Sequence, residues 1–562
     1  MGKAQFSLVN RGIETLGDWN PQLMREIQGR LKLRSVLLTV FLSLIAQGLF
    51  LFWQYRTLDY RWGNCQTAEY RETGLDCFQV SKEQYLLVNW QGWWLQVFSW
   101  SCIFLMFGLI VGGTFLLISD LSKEDRQGTL TFISLSPQTA RTILLGKMLG
   151  APFLIYLAVL LALPLHYLTG LAAEISVIRI LGFDVLLLAS CCFYYSLALL
   201  LGLASNWLNG FQAWISSAGI LLLLLLLSQN ALTSSSIDWL YTLSPSAVLP
   251  YLYEDIVPSL IGVNLPFNAY GLSDWQWFFV PLGRSGGLIG VFALAHFGLW
   301  AWWLWRPLQR RFRNPTVSLL SKKQSYWATA CFFVCFLGFS FNAGNNTPSN
   351  MIKAIILTHL LWFLLMVVLL LPHHQDLEDW ARFRGNYPST KGKTQRFRDL
   401  LWADNSPTWI AIAINLGIAS LPIMFWMLSL PEDDSGVGIA ALLFNSTLIL
   451  IFTLFNQVMM LRPISNRNLW VVATLLGPTI VPAVVLAILG ISPGQAWGSL
   501  ILLTPFAMVS IKEISVFSAL LMFGIHLGLI AALSWLQDRK LIQFGESTSQ
   551  QLLRGDVSVE QG

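Results

Sequence analysis

The chain has 562 residues, 55% of them hydrophobic and only 12% charged, with a formal net charge of +5 and a mean hydropathy of +0.59. A charged share about half the usual quarter excludes an ordinary soluble domain. The small positive balance gathers beside apolar runs, which gives no reason to expect nucleic-acid binding. Runs such as GILLLLLLLS (219–228) lack the period-two alternation of a membrane β-barrel, leaving an all-α polytopic membrane protein.

Apolar windows of roughly 18 residues or more, enough to cross about 30 Å of hydrocarbon, predict about twelve transmembrane helices in two groups. They fall near 35–54, 93–118, 143–165, 178–203, 211–228 and 286–304, then 326–342, 351–372, 408–428, 438–460, 469–490 and 516–536. The stretch 499–511 is too short to cross and reads as re-entrant or interfacial. The expected organisation is an N-terminal interfacial segment (1–34), a six-span domain (35–305), a basic linker (306–325), a second six-span domain (326–536) and a tail (537–562). Residues 1–34 lack an apolar core with a cleavage site, so no cleavable signal peptide is expected. Lys and Arg cluster before the first span and after the sixth and eighth, which predicts cytoplasmic termini and a multi-pass protein of the plasma (inner) membrane.

The segment NPQLMREIQGRLKLRS (20–35) is amphipathic and basic. It reads either as a helix lying in the lipid interface or as an ordinary positive flank. Cys65 and Cys77 share the first external loop, where a disulfide and two free thiols are both compatible with the sequence. Trp90, Trp93, Trp94, Trp275 and Trp277 read as interfacial anchors. The remaining cysteines show no zinc-site spacing.

Between the second and third spans lies SKEDRQGTLTFISLSPQTARTILLGK (122–147), charged and punctuated. Asp120, Glu124, Asp125 and Arg126 place charge just past the span. Leu130, Phe132, Ile133 and Leu135 form an apolar stripe, and Pro137 interrupts the helix because it lacks an amide hydrogen. A short helix parallel to the membrane is predicted over 122–137, with ARTILLGKMLG restarting toward the bilayer.

The ordered run Glu124, Arg126, Gly128-Thr129-Leu130, Ser136-Pro137 and Leu145-Gly146-Lys147 resembles the signature of ABC-2 type transporter permeases, in the same place between spans two and three. The basic lead-in before span one and LSPSAVLPYL (243–252) before span six agree with that pattern, so the resemblance covers roughly residues 15–320. It implies that 120–142 is a coupling segment docking on a separate ATPase subunit, with Glu124, Asp125, Arg126, Gly128, Thr129, Leu130, Pro137 and Arg141 as its contact residues. Glu124 and Arg126 would be the charged partners, and Gly128 would permit close backbone approach. The implied function is a transport subunit, exporting by family analogy, and not itself an enzyme. No G-x-x-x-x-G-K-[ST] loop occurs in the chain, so ATP and Mg²⁺ belong to the partner and no cofactor is expected here. Lipids and a second permease chain, identical or different, complete the expected partners.

The second half departs from this pattern. LSPQTARTILLGKMLGAP (135–152) aligns on LRPISNRNLWVVATLLGP (461–478), and AHFGLWAWWLW (295–305) on IHLGLIAALSW (525–535). A decayed duplication and chance likeness of Leu-rich segments both account for this. The region before the first of these matches, 445–463, has neither the acidic-basic cluster nor Gly-Thr-Leu. HHQDLEDWARFR (373–384) suggests three things: a charge-laced solvated helix, a second docking element, or, with His373, His374 and Asp376, an acyl or glycosyl transferase centre. An ATPase-bound scaffold that transports nothing is a further alternative. Ionisable residues inside spans are functional candidates by default, which singles out Asp184, His296 and His526 for a transport pathway, beside His359.

Overall fold

A computed structural model describes residues 17–65, 77–79, 86–88, 90–205, 210–229, 236–252, 275–314, 317–341, 347–372, 374–383, 398–461, 467–491, 495, 498–505 and 511–545. Cys65 and Cys77 as a pair of side chains, and His373, lie outside what is described. The protein is an all-α polytopic membrane protein, with one three-residue antiparallel strand pair among the described residues, Cys77–Gln79 with Leu86–Val88. It divides into two compact units, residues 1–232 with 238–313, and 233–237 with 314–562.

The first unit opens with α1 (Pro21–Arg30), capped by the Asn20 side chain and started by a proline whose missing amide costs nothing there. The spans are α2 (Leu33–Cys65), α3 (Trp90–Arg126), α6 (Phe153–Ala172), α7 (Val177–Ala204), α8 (Phe211–Gln229) and α9 (Gly286–Arg313). Two short helices, α4 (Thr129–Ser134) and α5 (Ala140–Gly150), connect α3 to α6. Within α3 a π turn at Gly108–Gly112 widens the helix. The Leu109 carbonyl there accepts a hydrogen bond from the Tyr195 hydroxyl of α7 at 2.7 Å.

The second unit contains α10 (Lys322–Leu337), α11 (Pro348–Leu370), α12 (His374–Phe383), α13 (Trp409–Leu428), α14 (Glu432–Met460), α15 (Arg467–Ile488) and α16 (Val516–Gly545). Among the described residues ten helices are long and apolar enough to cross a membrane, where the sequence predicts about twelve. The two that fall short are α10, only 16 residues long, and α15, whose apolar stretch is the shorter Ala473–Ile488. Residues 498–503 and 511–513 are 3₁₀ turns, in keeping with a stretch too short to span.

The units share one packing scheme. In the first, α2 packs on α6, α3 on α7, and α7 on α9; in the second, α10 packs on α13, α11 on α14, and α14 on α16. Counted by position among each unit's six main helices, these are first on third, second on fourth and fourth on sixth. The match of 295–305 to 525–535 pairs sixth helix with sixth helix and agrees with this order. The match of 135–152 to 461–478 pairs the entry of the third helix with the fifth, so helix order does not support it.

Two expectations for the first unit are revised. Residues 122–137 are not one helix: Asp120–Arg126 are the last turns of α3, and Gly128 at φ +71° separates them from a six-residue α4. A left-handed residue there interrupts the helical path, and glycine adopts it without the Cβ penalty. The third span begins at Phe153 and not at 143, because the chain breaks at Ala151–Pro152 and leaves Lys147 on the separate helix α5.

Candidate functional site

The charged residues of the first unit converge where α1, the end of α3 and α5 meet. Lys147, only 1% exposed, lies at the centre. Its ammonium stands 3.1 Å from Glu26 of α1, 3.0 Å from Asp120 and 2.6 Å from Glu124 of α3. Arg30 pairs with Glu26 and, at 2.6 Å, with Asp120, while Arg25 reaches Glu124 at 3.8 Å. Three carboxylates thus face three cations. Burial works to depress the Lys147 ammonium, but Asp120, Glu26 and Glu124 together outweigh it and hold the group above the ordinary lysine value. The carboxylates of Glu26, Asp120 and Glu124 lie within 4.8 Å of one another, the spacing of a cation site, and the lysine supplies the positive charge among them.

The helix contact is as close as backbone allows. A Cβ on Gly146 would sit 2.8 Å from the Leu23 amide nitrogen, and one on Gly150 would overlap Cβ of Glu26. These glycines are one turn apart on α5 and let α1 lie directly on it, as small residues do at close helix crossings. Asn20 joins the two helices as well. Its side chain accepts from the Leu23 amide at 3.0 Å and donates to the Thr142 carbonyl at 2.8 Å.

The residues expected to contact a partner divide between this cluster and the surface. Glu124 is 8% exposed and turned inward onto Lys147. Asp125 is half-buried, and Arg126 is exposed with its Nε donating to the Ser122 carbonyl. Thr129 donates to the Glu124 carbonyl at 3.1 Å, and Leu130 is buried. Around Gly128 a Cβ would meet open space, so its conformation, not crowding within the chain, accounts for the glycine. Pro137 is exposed, and Arg141 donates to Gln309 near the end of α9 at 3.2 Å. The apolar side chains at the tip are the conspicuous feature: Phe132 and Leu135 are each 80% exposed. Sequence reasoning missed Glu26 and the bridging role of Lys147. The signal was there, since Glu26 is the one acid in the basic stretch 20–35.

The pathway candidates are separate. Asp184 of α7 accepts from the Tyr167 hydroxyl at 2.7 Å and lies 3.6 Å from the His166 ring. His296 accepts from Trp300 at 2.8 Å, stacks on Phe292 and meets the edge of Trp239, a satisfied aromatic setting. His526 shares a hydrogen bond with Thr447 at 2.8 Å, and His359 one with Asn445 at 2.9 Å.

In the second unit α12 occupies the place between the second and third helices that α4 and α5 occupy in the first. Leu377 and Ala381 are buried against Leu461 and Leu541, and Trp380 packs beside them. Glu378 pairs with Arg382 at 2.6 Å. Among the described residues, the one grouping of three potential metal ligands is that around Lys147; none forms around His374.

This unit also buries a lysine, ahead of the apolar part of α10. The Lys322 ammonium donates to the Leu400 carbonyl at 2.8 Å, the Ser406 hydroxyl at 2.6 Å and the Pro407 carbonyl at 3.0 Å. Three hydrogens meet three neutral acceptors. Burial lowers the group to about 7, with Asp404 and Asp399 opposing the shift. Between that value and the ordinary 10.5 the folded form lacks a proton that the unfolded form carries. The second unit should therefore gain stability as pH rises through this window, with a limiting slope of about 1.4 kcal/mol per pH unit. Denaturation midpoints of wild type and K322M from pH 6.5 upward check this: the wild-type slope is expected to flatten in the variant.

No protein family, curated protein or solved structure matches the chain in comparison. Fold and site define a polytopic helical membrane protein with a buried charge cluster tying an N-terminal helix to the loop between its second and third spans.

Proposed function

We propose that the chain is the membrane-spanning permease subunit of an ABC-2 type transporter, driven by a separate ATPase that docks on the α3–α5 connection at the cytoplasmic face. The observation that carries this reading is Lys147. The Leu-Gly-Lys and acidic elements of the resemblance, distant from α1 in sequence, meet at one ammonium together with the lead-in helix. Such a cluster makes α1, the end of α3 and α5 a single stiff body. Force applied to α4 then passes to the ends of the three spans that these elements belong to or lead into, α2, α3 and α6. Phe132 and Leu135 supply the apolar contact, and Arg126 and Asp125 the charged rim. In the unit equivalent by packing order, Leu377 and Ala381 of α12 are buried and Trp380 is half-buried, so these side chains offer no such tip. Export across the plasma membrane, with a second permease chain beside it, is the family's arrangement and is proposed on that basis.

The test is co-purification of an ATP-binding subunit from solubilised native membranes, identified by ATP photolabelling. F132D/L135D should lose the ATPase by at least about tenfold, equivalent to about 1.4 kcal/mol, without a change in thermal stability, because both side chains are largely exposed. Charge reversal at Glu124 is a poor probe, since it breaks the internal cluster. If no ATPase accompanies wild type, the permease reading fails.

A further inference from the structure

The first unit contains a second polar cluster, wholly among its spans, that the transport reading does not use. His166 of α6 is 1% exposed, with Phe98 stacked on its ring at 4.8 Å. Its Nδ1 lies 2.8 Å from the Ser101 hydroxyl of α3, and its Nε2 lies 3.6 Å from a carboxylate oxygen of Asp184. The other Asp184 oxygen accepts from Tyr167. Ser101 is also 2.7 Å from the Phe98 carbonyl, to which it donates.

Hydrogen bookkeeping constrains this arrangement. A serine hydroxyl has one hydrogen. If Ser101 gives it to Phe98, Nδ1 must carry a hydrogen and donate it to the serine oxygen. A neutral imidazole then presents a bare Nε2 to an ionised carboxylate, lone pair against lone pair. One additional proton removes that conflict, either on Nε2 facing the carboxylate or on the carboxyl donating to Nε2. If instead Ser101 gives its hydrogen to Nδ1, Nε2 carries the ring proton and donates toward Asp184, and the cluster keeps one negative charge. The two arrangements differ by one proton and the rotation of one hydroxyl. The contacts of Ser101 with both Phe98 and His166 are satisfied together only in the proton-loaded form.

We propose that Ser101, His166, Asp184 and Tyr167 form a binding site for a single proton inside the helix bundle of the first unit. Asp184, about one-fifth exposed at its side chain, is the point of entry. The groups facing the site are Ser101 and Cys102 from α3, Tyr167 from α6, and Asp184 from α7. The nearest charges along α6 and α7 are engaged elsewhere: Glu174 accepts from Gln91, and Arg179 donates to the Leu252 carbonyl. α2, which also packs on α6, presents Ser43 and Gln47 to the carbonyls of Ala158 and Leu161. This site does not depend on the identity of the transporter. An intramembrane carboxylate that no lysine or arginine among the described residues pairs with is costly to keep charged, and one bound proton neutralises it.

The experiment is magic-angle-spinning NMR of the full chain in lipid bilayers, with ¹⁵N-labelled histidine. The sequence has six histidines, and the His166 resonances are assigned by their loss in H166Q. Lowering the pH from about 9 to about 4, a range that brackets ordinary imidazole titration, should convert Nδ1 of His166 from bare to protonated in a one-proton step. Nδ1 reports the loaded form whether the added proton rests on the ring or on Asp184. D184N should abolish the step, and D184E should retain it. If D184N does not fold, Y167F still tests the assignment: loss of one hydrogen bond to the same carboxylate should move the midpoint by about half a pH unit. A His166 ring with one fixed protonation pattern throughout, or a step that neither D184N nor Y167F alters, overturns the proposal.

Discussion

Replacing Lys147 by methionine should destabilise the first unit by about 3–5 kcal/mol, the usual cost of leaving a buried charge without its partner. Methionine keeps most of the side-chain volume, so packing changes little. What remains is a set of three carboxylates within 4.8 Å of one another, with only Arg30 and Arg25 at their edges. Mutual repulsion must then push Glu26 away, and with it α1. Hydrogen exchange over residues 21–30 should rise from protected to nearly free, while exchange in α7 and α9 stays slow. A further change, E124Q in the K147M background, removes one of the uncompensated charges and should recover part of the loss. If K147M unfolds with the wild-type midpoint and leaves α1 protected, the cluster is not what holds that helix.

The second large effect is steric. Gly150→Val should separate α1 from α5 as completely as K147M does, without altering a charge. The new Cβ would overlap that of Glu26, a tightly held atom on a helix and not the free end of a flexible chain. Overpacking of this kind costs about 1–3 kcal/mol when neighbours can yield, and here the yielding element is α1 itself. Gly146→Val should act in the same direction, since its Cβ would press on the Leu23 amide nitrogen at 2.8 Å. Gly128→Ala is the contrasting case. Space is open around it, so its cost comes from the left-handed backbone alone and should stay near 1 kcal/mol. Thermal midpoints of the three variants, measured together in one detergent, separate these causes. The expected order of loss is Gly150→Val, then Gly146→Val, then Gly128→Ala.

How much of this was legible in the sequence depends on the range of the interaction. Apolar runs are a local signal, and the helices at 33–65, 90–126, 177–204 and 211–229 follow from them almost directly. The break at Ala151–Pro152 was less visible, because ILLGKMLGAPFLIYL reads as one apolar stretch around a single lysine. That lysine is accommodated by acids from two other helices, one of them 121 residues away in sequence. Nothing in the composition of 140–150 announces where its partner lies. Of the polar group around His166 only Asp184 was singled out, for the same reason. Its four members are spread over three apolar helices, and only the packing of α6 between α3 and α7 brings them together. Of the two internal sequence matches, only the one in the final helices pairs helices of the same rank, and the common packing order of the two units was not legible in the sequence.

The π turn at Gly108–Gly112 lies ahead of the plain helix that carries Asp120 and Glu124 along α3. Such a turn accommodates one residue more than an α-helix holds over the same length. Removing that extra residue would restore plain helix with little change of phase, whereas removing one from the plain helix at 113–119 would swing the distal end by about 100° about its axis. Asp120 and Glu124 would then point away from Lys147 while the half of α3 before the turn kept its neighbours. Membrane anchorage and charge placement are therefore geared to each other through the plain helix that follows the turn, while the turn itself takes up one residue. Beyond the turn the length of this helix is fixed to the nearest amino acid, a tolerance far finer than bilayer thickness alone would demand.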